Sequence, residues 1–461
     1  MKILVLNLPH KRRIVRKFSC SYFANGFLYP PIELVRLATI ISNKSEGKIN
    51  TLFKDAIAEK LSHHACLQYI TVEQPDIIAC LASVDFINDE VEFIRLVKTV
   101  TKSKIVLIGY IPNLFPDSFH EADVILGNNF EATFAAVSSA YKNNLSVDEF
   151  IENVKQTKNE ISIFDPNLID FYNPEFLDFR YYSDLFVKGK TAFTYFSFGC
   201  PFKCSYCVKT YNQDKVYFRN QETIIRELKH YHSKGIKNIR ILDDNCNLNK
   251  RLLQAIVDFQ KNENIQFNFS GLTRIDLLDK ESVELLITLG FKNLLIGIES
   301  VNHVTQQAFN KPLELEITQL KPLLHRLNEH TVELTFFMMY NPITDSRREI
   351  RNMINFLNQL PVHYAGLSYI TPYPGTKFFE SNRPEIEFSV SPKYISRFKF
   401  THYKQQRTNE LYFIWLFFVS KPARFVKLIK RFLQFPRQSW NMATSVLKYF
   451  FFFDRNRSDL I

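Results

Sequence analysis

Three cysteines fall within eight residues in "FGCPFKCSYC": Cys200, Cys204 and Cys207. Thiolates ligate zinc or iron–sulfur clusters. A structural zinc site takes four ligands, usually as two Cys or Cys/His pairs. Here the spacing is C-x3-C-x2-C, and no second pair follows. Cys246 stands alone 39 residues after Cys207, and His230 and His232 sit in a helical pattern. Three ligands on one short loop suit a cubane cluster with three irons held by the chain and one left open. An open iron is a binding position, like the open coordination position of a catalytic zinc.

The elements around this loop must bring it to a working surface. From Ala192 onward, six apolar runs alternate with helical patterns: "AFTYFSF", "IKNIRILD", "IQFNFSG", "KNLLIGIE", "VELTFFMMY" and "YAGLSYI". "QETIIRELKHYHSK" stops at Gly235, while "DKESVELLITL" opens on a capping Asp279 and closes at Gly290. Six strand–helix steps predict a partial (β/α)6 barrel, short of the eight that close a full one. The cysteine loop follows the first strand. It therefore lies at the C-terminal rim, where such barrels do their chemistry.

This arrangement resembles the radical S-adenosylmethionine (SAM) superfamily. The resemblance rests on C-x3-C-x2-C after the first strand, with the aromatic Tyr206 directly before the third cysteine. It extends to "ILDDNCNL" after the second strand, "LTRID" after the third, "LLIGIES" then "FNK" at the fourth, and "YITPYPGT" at the sixth. These segments cover roughly residues 191 to 380. The resemblance implies a [4Fe–4S] cluster held by Cys200, Cys204 and Cys207. SAM would bind its open iron and yield a 5′-deoxyadenosyl radical. Tyr206, Asp243, Asp244, Ser270, Arg274 and Glu299 become candidate cofactor-binding residues. One of the two aspartates would accept from the SAM ammonium. Arg274 would pair with its carboxylate in a fork. Ser270 and Glu299 would bond ribose hydroxyls or the ammonium, and Gly297 would keep the fourth strand open near the ligand. The sequence departs from the family's Gly-Gly-Glu-like segment in having Asp-Asn after Asp243, which leaves the ammonium ligand open between the two aspartates.

Residues 1 to 145 also alternate apolar runs, "ILVLN", "NTLFKD", "DIIACLA", "KIVLIG" and "DVILG", with helices such as "PPIELVRLATIISNK". This pattern predicts a doubly wound, Rossmann-like parallel sheet. Such a domain ahead of the barrel resembles the cobalamin-binding domain of one radical SAM subgroup, which includes methyltransferases and an anaerobic cyclase. The resemblance implies cobalamin as a further cofactor, bound without a histidine ligand. The subgroup's Gly-Gly and Gly-Glu-Gly-Glu segments are altered here. Gly109 is followed by Tyr110, and Gly127 by Asn128, Asn129 and Phe130, in a chain with only 12 glycines.

Residues 146 to 190 read as a polar, irregular linker. Residues 191 to 385 form the barrel, and 386 to 461 a basic, aromatic helical extension. From position 393 to the last residue there are 14 Lys/Arg against 3 Asp/Glu. That stretch holds the whole formal net charge of +11. In "ARFVKLIKRFLQF", Arg424, Lys427, Arg431 and Gln434 share one helical face and apolar residues fill the rest. Two readings follow: a membrane-surface helix, or a cap on the barrel with a solvated basic face. No nucleic-acid-binding module surrounds these charges. Scattered thiols and a first strand beginning at Lys2 point to a reducing, cytoplasmic setting, with contact at the inner membrane surface.

The α/β reading with two domains and a helical tail thus points to an enzyme that modifies an unactivated carbon. The substrate would be small or lipid-like, and the electron donor of flavodoxin or ferredoxin type. Cobalamin-dependent methyl transfer leads. Cobalamin-free cyclisation, oxidation or rearrangement is the alternative. Methylthio transfer would need a second cluster that Cys20, Cys66 and Cys80 are too dispersed to hold, and a non-catalytic cluster protein would not need the near-complete set of barrel motifs.

Overall fold

The computed structural model describes residues 1–447 except 19–20, 25, 83–85, 143–144, 162–171, 186, 209–214, 315, 388–389, 392–393, 396–398 and 401–405. Five short β-rich runs near the N-terminus become five parallel strands: β1 (Lys2–Asn7), β2 (Asn50–Asp55), β3 (Ile77–Leu81), β4 (Lys104–Ile108) and β5 (Val124–Leu126). Their order is β2-β1-β3-β4-β5. Successive side chains of a strand point to opposite faces, so each strand feeds two cores. Ile3, Val5, Ile77, Ala79, Val106 and Ile108 pack one face against α1 (Ile32–Lys44) and a later helix that begins at Phe130. Leu4, Leu6, Ile78, Cys80, Ile105 and Leu107 pack the other against α2 (His63–Glu73) and α3 (Ile87–Val100). Both faces are covered, as the apolar runs required. After β4 comes α4 (Tyr110–Leu114), after β5 comes α5 (Phe130–Ser139), and α6 (Val147–Glu160) follows.

That last helix corrects the linker reading. Ser146 and Glu149 form a capping box at its start. Phe150, Ile151 and Val154 are buried in the core of the first sheet. Residues 147 to 160 are therefore helix packed on the N-terminal domain. The polar majority of this helix masked its one apolar stripe.

The second sheet is β6 (Thr191–Thr194), β7 (Asn238–Ile241), β8 (Asn268–Arg274), β9 (Phe291–Glu299), β10 (Glu333–Tyr340) and β11 (Tyr364–Tyr369). All six are parallel and lie in chain order. Between them run α7 (Gln221–Ser233), α8 (Lys250–Asn262), α9 (Lys280–Leu289), α10 (His303–Ala308), α11 (Ile317–Glu329) and α12 (Arg347–Asn358). Asp279 caps α9 as expected, accepting from the Ser282 N–H, and Gly290 ends it at φ +94°. The partial barrel is thus the architecture the six runs predicted. Beyond it come α13 (Lys377–Ser381) and three helices, α14 (Gln406–Val419), α15 (Ala423–Gln434) and α16 (Pro436–Leu447). No helix among the described residues is long and apolar enough to cross a membrane. Six of the seven cysteines are described, and all six are free; Cys20 lies outside the described residues.

The extension reverses one expectation. Arg424 and Arg431 are buried, and Arg424 Nη1 donates to Asn358 Oδ1 (2.9 Å) and Phe417 O (2.8 Å). Arg431 pairs with Glu333 and lies against Tyr364. The two arginines of the basic line therefore face the barrel, while Lys427 and Gln434 of that line stay exposed. Long side chains can bury their stems and still satisfy the guanidinium on backbone and amide oxygens.

A buried ion pair fixes the start of the chain. Arg16 Nε and Nη2 both reach Glu90 Oε1, at 2.8 and 2.7 Å, with both side chains fully shielded. The same guanidinium bonds Asn7 and Leu8 O, so α3 is tied to the end of β1. Glu90→Ala leaves a buried charge unpaired and is expected to cost about 3–5 kcal/mol. A urea midpoint measures this, and the double substitution Arg16→Met/Glu90→Leu should recover most of the loss.

Candidate active site at the barrel rim

The cysteine loop leaves β6 through Gly199, at φ +86°, a conformation that favours glycine. It then crosses the rim. Ser205 N–H donates to Phe309 O (2.9 Å), its hydroxyl donates to Ala308 O (2.6 Å), and its carbonyl accepts from Phe378 N–H (2.9 Å). The loop is therefore tied to the ends of α10 and the start of α13. The Tyr206 ring meets the buried Phe309 edge-on, with centroids 5.0 Å apart.

Two of the thiols receive hydrogen bonds from strand ends. Asn245 Nδ2 lies 3.4 Å from Cys200 Sγ, and Arg274 Nη1 lies 3.2 Å from Cys204 Sγ. Arg274 also stacks over Phe202 at 3.8 Å and grips Asp276 through Nε (2.9 Å) and Nη2 (2.7 Å). Its fork is filled by Asp276, so its contact with the site is the N–H···S bond. Beside it, Asn245 is buried and its Oδ1 has no partner among the described residues. Such an orphaned acceptor invites a donor from outside the chain. Among the described residues, no three His, Cys, Asp or Glu side chains are gathered around one point as single-ion ligands. A donor set of three thiols, two of them already accepting N–H bonds, fits a cluster that needs thiolates and hydrogen bonds to sulfur.

The expected SAM-contacting residues separate into two groups. Tyr206, Arg274 and Glu299 stand together at the rim. Glu299 ends β9 at φ +69°, outside the usual range for a side-chain-bearing residue, and its carboxylate pairs with Lys311 Nζ at 2.8 Å. Lys311 also donates to Gly297 O (3.1 Å). Burial first, then the neighbouring Glu299 and the Cys204 and Cys207 thiols, hold the Tyr206 phenol well above its ordinary range. A Cβ at position 297 would lie 2.5 Å from Glu299 Oε1. The open space at Gly297 is thus shared with the chain's own Glu299 carboxylate.

Asp243 and Ser270 stand elsewhere. Asp243 is buried beneath the loop, where it accepts from Phe196 N–H (2.7 Å) and from the Ser197 hydroxyl. Burial pushes its carboxyl up to about 7. It positions the loop, while Asp244 is exposed. Ser270 is the third residue of β8, and Arg274 the last, so about 13 Å of strand separates them at roughly 3.3 Å per residue. Its hydroxyl donates to Asp184 Oδ2 (2.8 Å), which sits in a buried set with Tyr29 and Arg240. Ser270 therefore belongs to the opposite end of the barrel. The resemblance places it at the strand's C-terminal end instead.

Asn245, Asp276 and Lys311 were missed as site residues, although all three lie in or beside motif segments. A further one comes from the other domain. Tyr110, at the C-terminal edge of the first sheet, donates its hydroxyl to Pro374 O (2.7 Å) in the rim segment after β11. Burial, then the neighbouring Cys207 and Glu380, pushes its phenol up to about 12. The two sheets thus meet beside the cysteine loop. The glycines next to this edge are filled by the chain itself. A Cβ at Gly109 would lie 2.7 Å from Ala82 O, and one at Gly127 2.8 Å from Asn113 Oδ1.

Comparison with known proteins agrees with this geometry. Residues 194–357 match the model of the radical SAM superfamily. That segment is a radical SAM domain. An uncharacterized methyltransferase of Pyrococcus horikoshii is 25% identical over 82% of this chain and 83% of its own. The bacteriochlorophyllide d C-8(2)-methyltransferase of Chlorobaculum tepidum is 29% identical over 41% of this chain, and the match spans 44% of that relative. A radical SAM methyltransferase of Kitasatospora setae, TsrM, solved with cobalamin and a [4Fe–4S] cluster, shares the fold over 85% of this chain and 81% of its own, with a TM-score of 0.63 and 14% identity. This radical SAM chain is an enzyme whose family uses a [4Fe–4S] cluster and SAM.

Asp243 makes the radical SAM loop pH-sensitive. The folded state keeps a proton on this carboxyl up to about 7, while the unfolded chain releases it near 3.8. Its contribution to stability is full below the unfolded value and is lost as pH rises through about 7. In cluster-free protein, Asp243→Asn should flatten the fall in stability between pH 5 and 8. That fall is at most about 1.4 kcal/mol per pH unit in the parent chain. Urea unfolding at both pH values checks it.

Proposed function

We propose that this radical SAM enzyme transfers a methyl group to an unactivated carbon of a small or lipid-like substrate, with cobalamin carried by the N-terminal domain. The observation that carries the reading is the meeting of the two sheets beside the cysteine loop, where Tyr110 reaches Pro374. Ligands of doubly wound sheets bind beyond the C-terminal ends of the strands, and this is the edge turned toward the rim. The methyltransferase names of two relatives support the same reaction class.

Cys200, Cys204 and Cys207 would hold the cluster, and Asn245 and Arg274 would steady two of its thiolates through N–H···S bonds. Bound there, a [4Fe–4S] cluster supplies the single electron that breaks the sulfonium bond of SAM. Asn245 Oδ1 would accept from the SAM ammonium, a role expected of Asp243 or Asp244. Tyr206 and Glu299 would line the adenosine side of the rim. Lys311 pairs with Glu299 and orients it. Tyr110 and Asn113, rather than glycine backbone, would meet cobalamin. A flavodoxin- or ferredoxin-type donor supplies the electron, and the extension from 386 onward makes a peripheral contact with the inner membrane surface.

Anaerobically reconstituted protein is expected to hold one cluster and to convert SAM to 5′-deoxyadenosine. Cys204→Ala should abolish both, and intact cleavage in that variant would refute the assignment. Protein purified with cobalamin supplied should keep the vitamin's visible absorbance after the cluster is removed. A colourless protein at that step rules out the cobalamin-dependent form.

A further inference from the structure

A surface helix of a globular protein normally turns its apolar stripe inward and its charges outward. α15 does the reverse. At 100° per residue, Arg424 and Arg431 fall on one line, and both are buried against the barrel. Their bonds to Asn358, Phe417 O, Glu333 and Tyr364 use this line as a fastening. Phe425, Val426, Ile429, Phe432 and Leu433 gather on the far side, all exposed, with Leu433 at 77%. Trp415 of α14 and Trp440 of α16 are exposed at 57% and 64%.

The charge around this face indicates what covers it. Lys427, Lys430 and Arg437 are exposed. The stretch from 393 onward carries 14 basic and 3 acidic residues, so a second copy of the same surface would be repelled. An apolar arc flanked by Lys430, with exposed tryptophans on the adjoining helices, matches the boundary between anionic headgroups and acyl chains. At about 18 Å, a 12-residue helix lies on such a surface rather than across it.

We propose that the outward apolar face of α15 docks on an anionic lipid bilayer, with Phe425, Ile429, Phe432 and Leu433 entering the interface and Lys430 meeting headgroups. This rests on the peripheral membrane contact proposed above and names the face that makes it. The face is the opposite one from the basic line that the sequence pattern offers.

Sedimentation of the full chain with phosphatidylcholine vesicles, with and without phosphatidylglycerol, tests the proposal. The parent protein should sediment with the anionic vesicles and be released by salt. Ile429→Asp with Leu433→Asp, both at exposed positions, should lower partitioning at least tenfold, since two apolar side chains no longer leave water. Lys430→Gln should lower it about fivefold, the worth of roughly 1 kcal/mol per basic residue at an anionic surface. Circular dichroism of each variant confirms that it remains folded. Failure of the parent chain to bind either vesicle overturns the membrane contact itself. Binding that survives the double aspartate variant overturns the assignment to this face while leaving a membrane contact through another part. A dimer that the double variant dissolves, with no vesicle binding, assigns the face to a second copy and overturns the proposal.

Discussion

Six parallel strands do not close a barrel, and the open rim has to be braced by something other than strand pairing. The brace is the cysteine loop. Ser205 uses its N–H, its hydroxyl and its carbonyl to hold Phe309, Ala308 and Phe378. The segment that carries the thiols is thereby fastened to chain that follows the fourth and sixth strands. Local sequence sets the ligand spacing, while these three bonds set where the ligands stand. Any movement of α10 or α13 is felt at Cys204 and Cys207 through one residue.

Around that loop the charged side chains are mostly spoken for by other parts of the chain. Asp243 lies under its start, Asp276 fills the fork of Arg274, and Lys311 neutralises Glu299. Buried charges are tolerated when paired and bonded, so a rim rich in ionisable groups remains stable before any cofactor arrives. The left-handed backbone at Glu299 is a local cost at the end of a strand. It is held there by the Lys311 pair and by the space that Gly297 leaves. Strain of this kind at a rim is what functional sites accumulate. Among the described residues, Asn245 Oδ1, an orphaned acceptor beside a thiol, is an exception to this internal pairing.

The N-terminal domain bears on the site through its edge. Tyr110 stands where a doubly wound sheet opens to ligands, and its hydroxyl closes on the barrel at Pro374. A substrate or second cofactor entering between the sheets meets this ring and the neighbouring Cys207. The glycines that the cobalamin-binding subgroup would spend on close approach are here packed against Ala82, Pro112 and Asn113. Specificity at this edge is therefore a matter of side chains.

Much of the fold was legible in the sequence, because period and composition are local. All eleven principal strands fall on apolar runs, and Asp279 and Gly290 mark the ends of α9 where capping chemistry requires. The place of the three cysteines directly after the first barrel strand put their loop on the rim. What the sequence could not carry was direction and partner. Asp243 and Ser270 sit in the right strands, yet one faces under the loop and the other meets Asp184 far from it. Residues 147 to 160 read as linker until a core was present to receive Phe150 and Val154. In α15 the helical pattern was plain, but which side faced inward was decided by Glu333, Tyr364 and Asn358, acceptors that lie 66 to 98 residues earlier in the chain. A pattern defines the faces of a helix. Only the surface it packs against decides which face is buried, because a guanidinium with enough acceptors can outbid a phenylalanine for the interior.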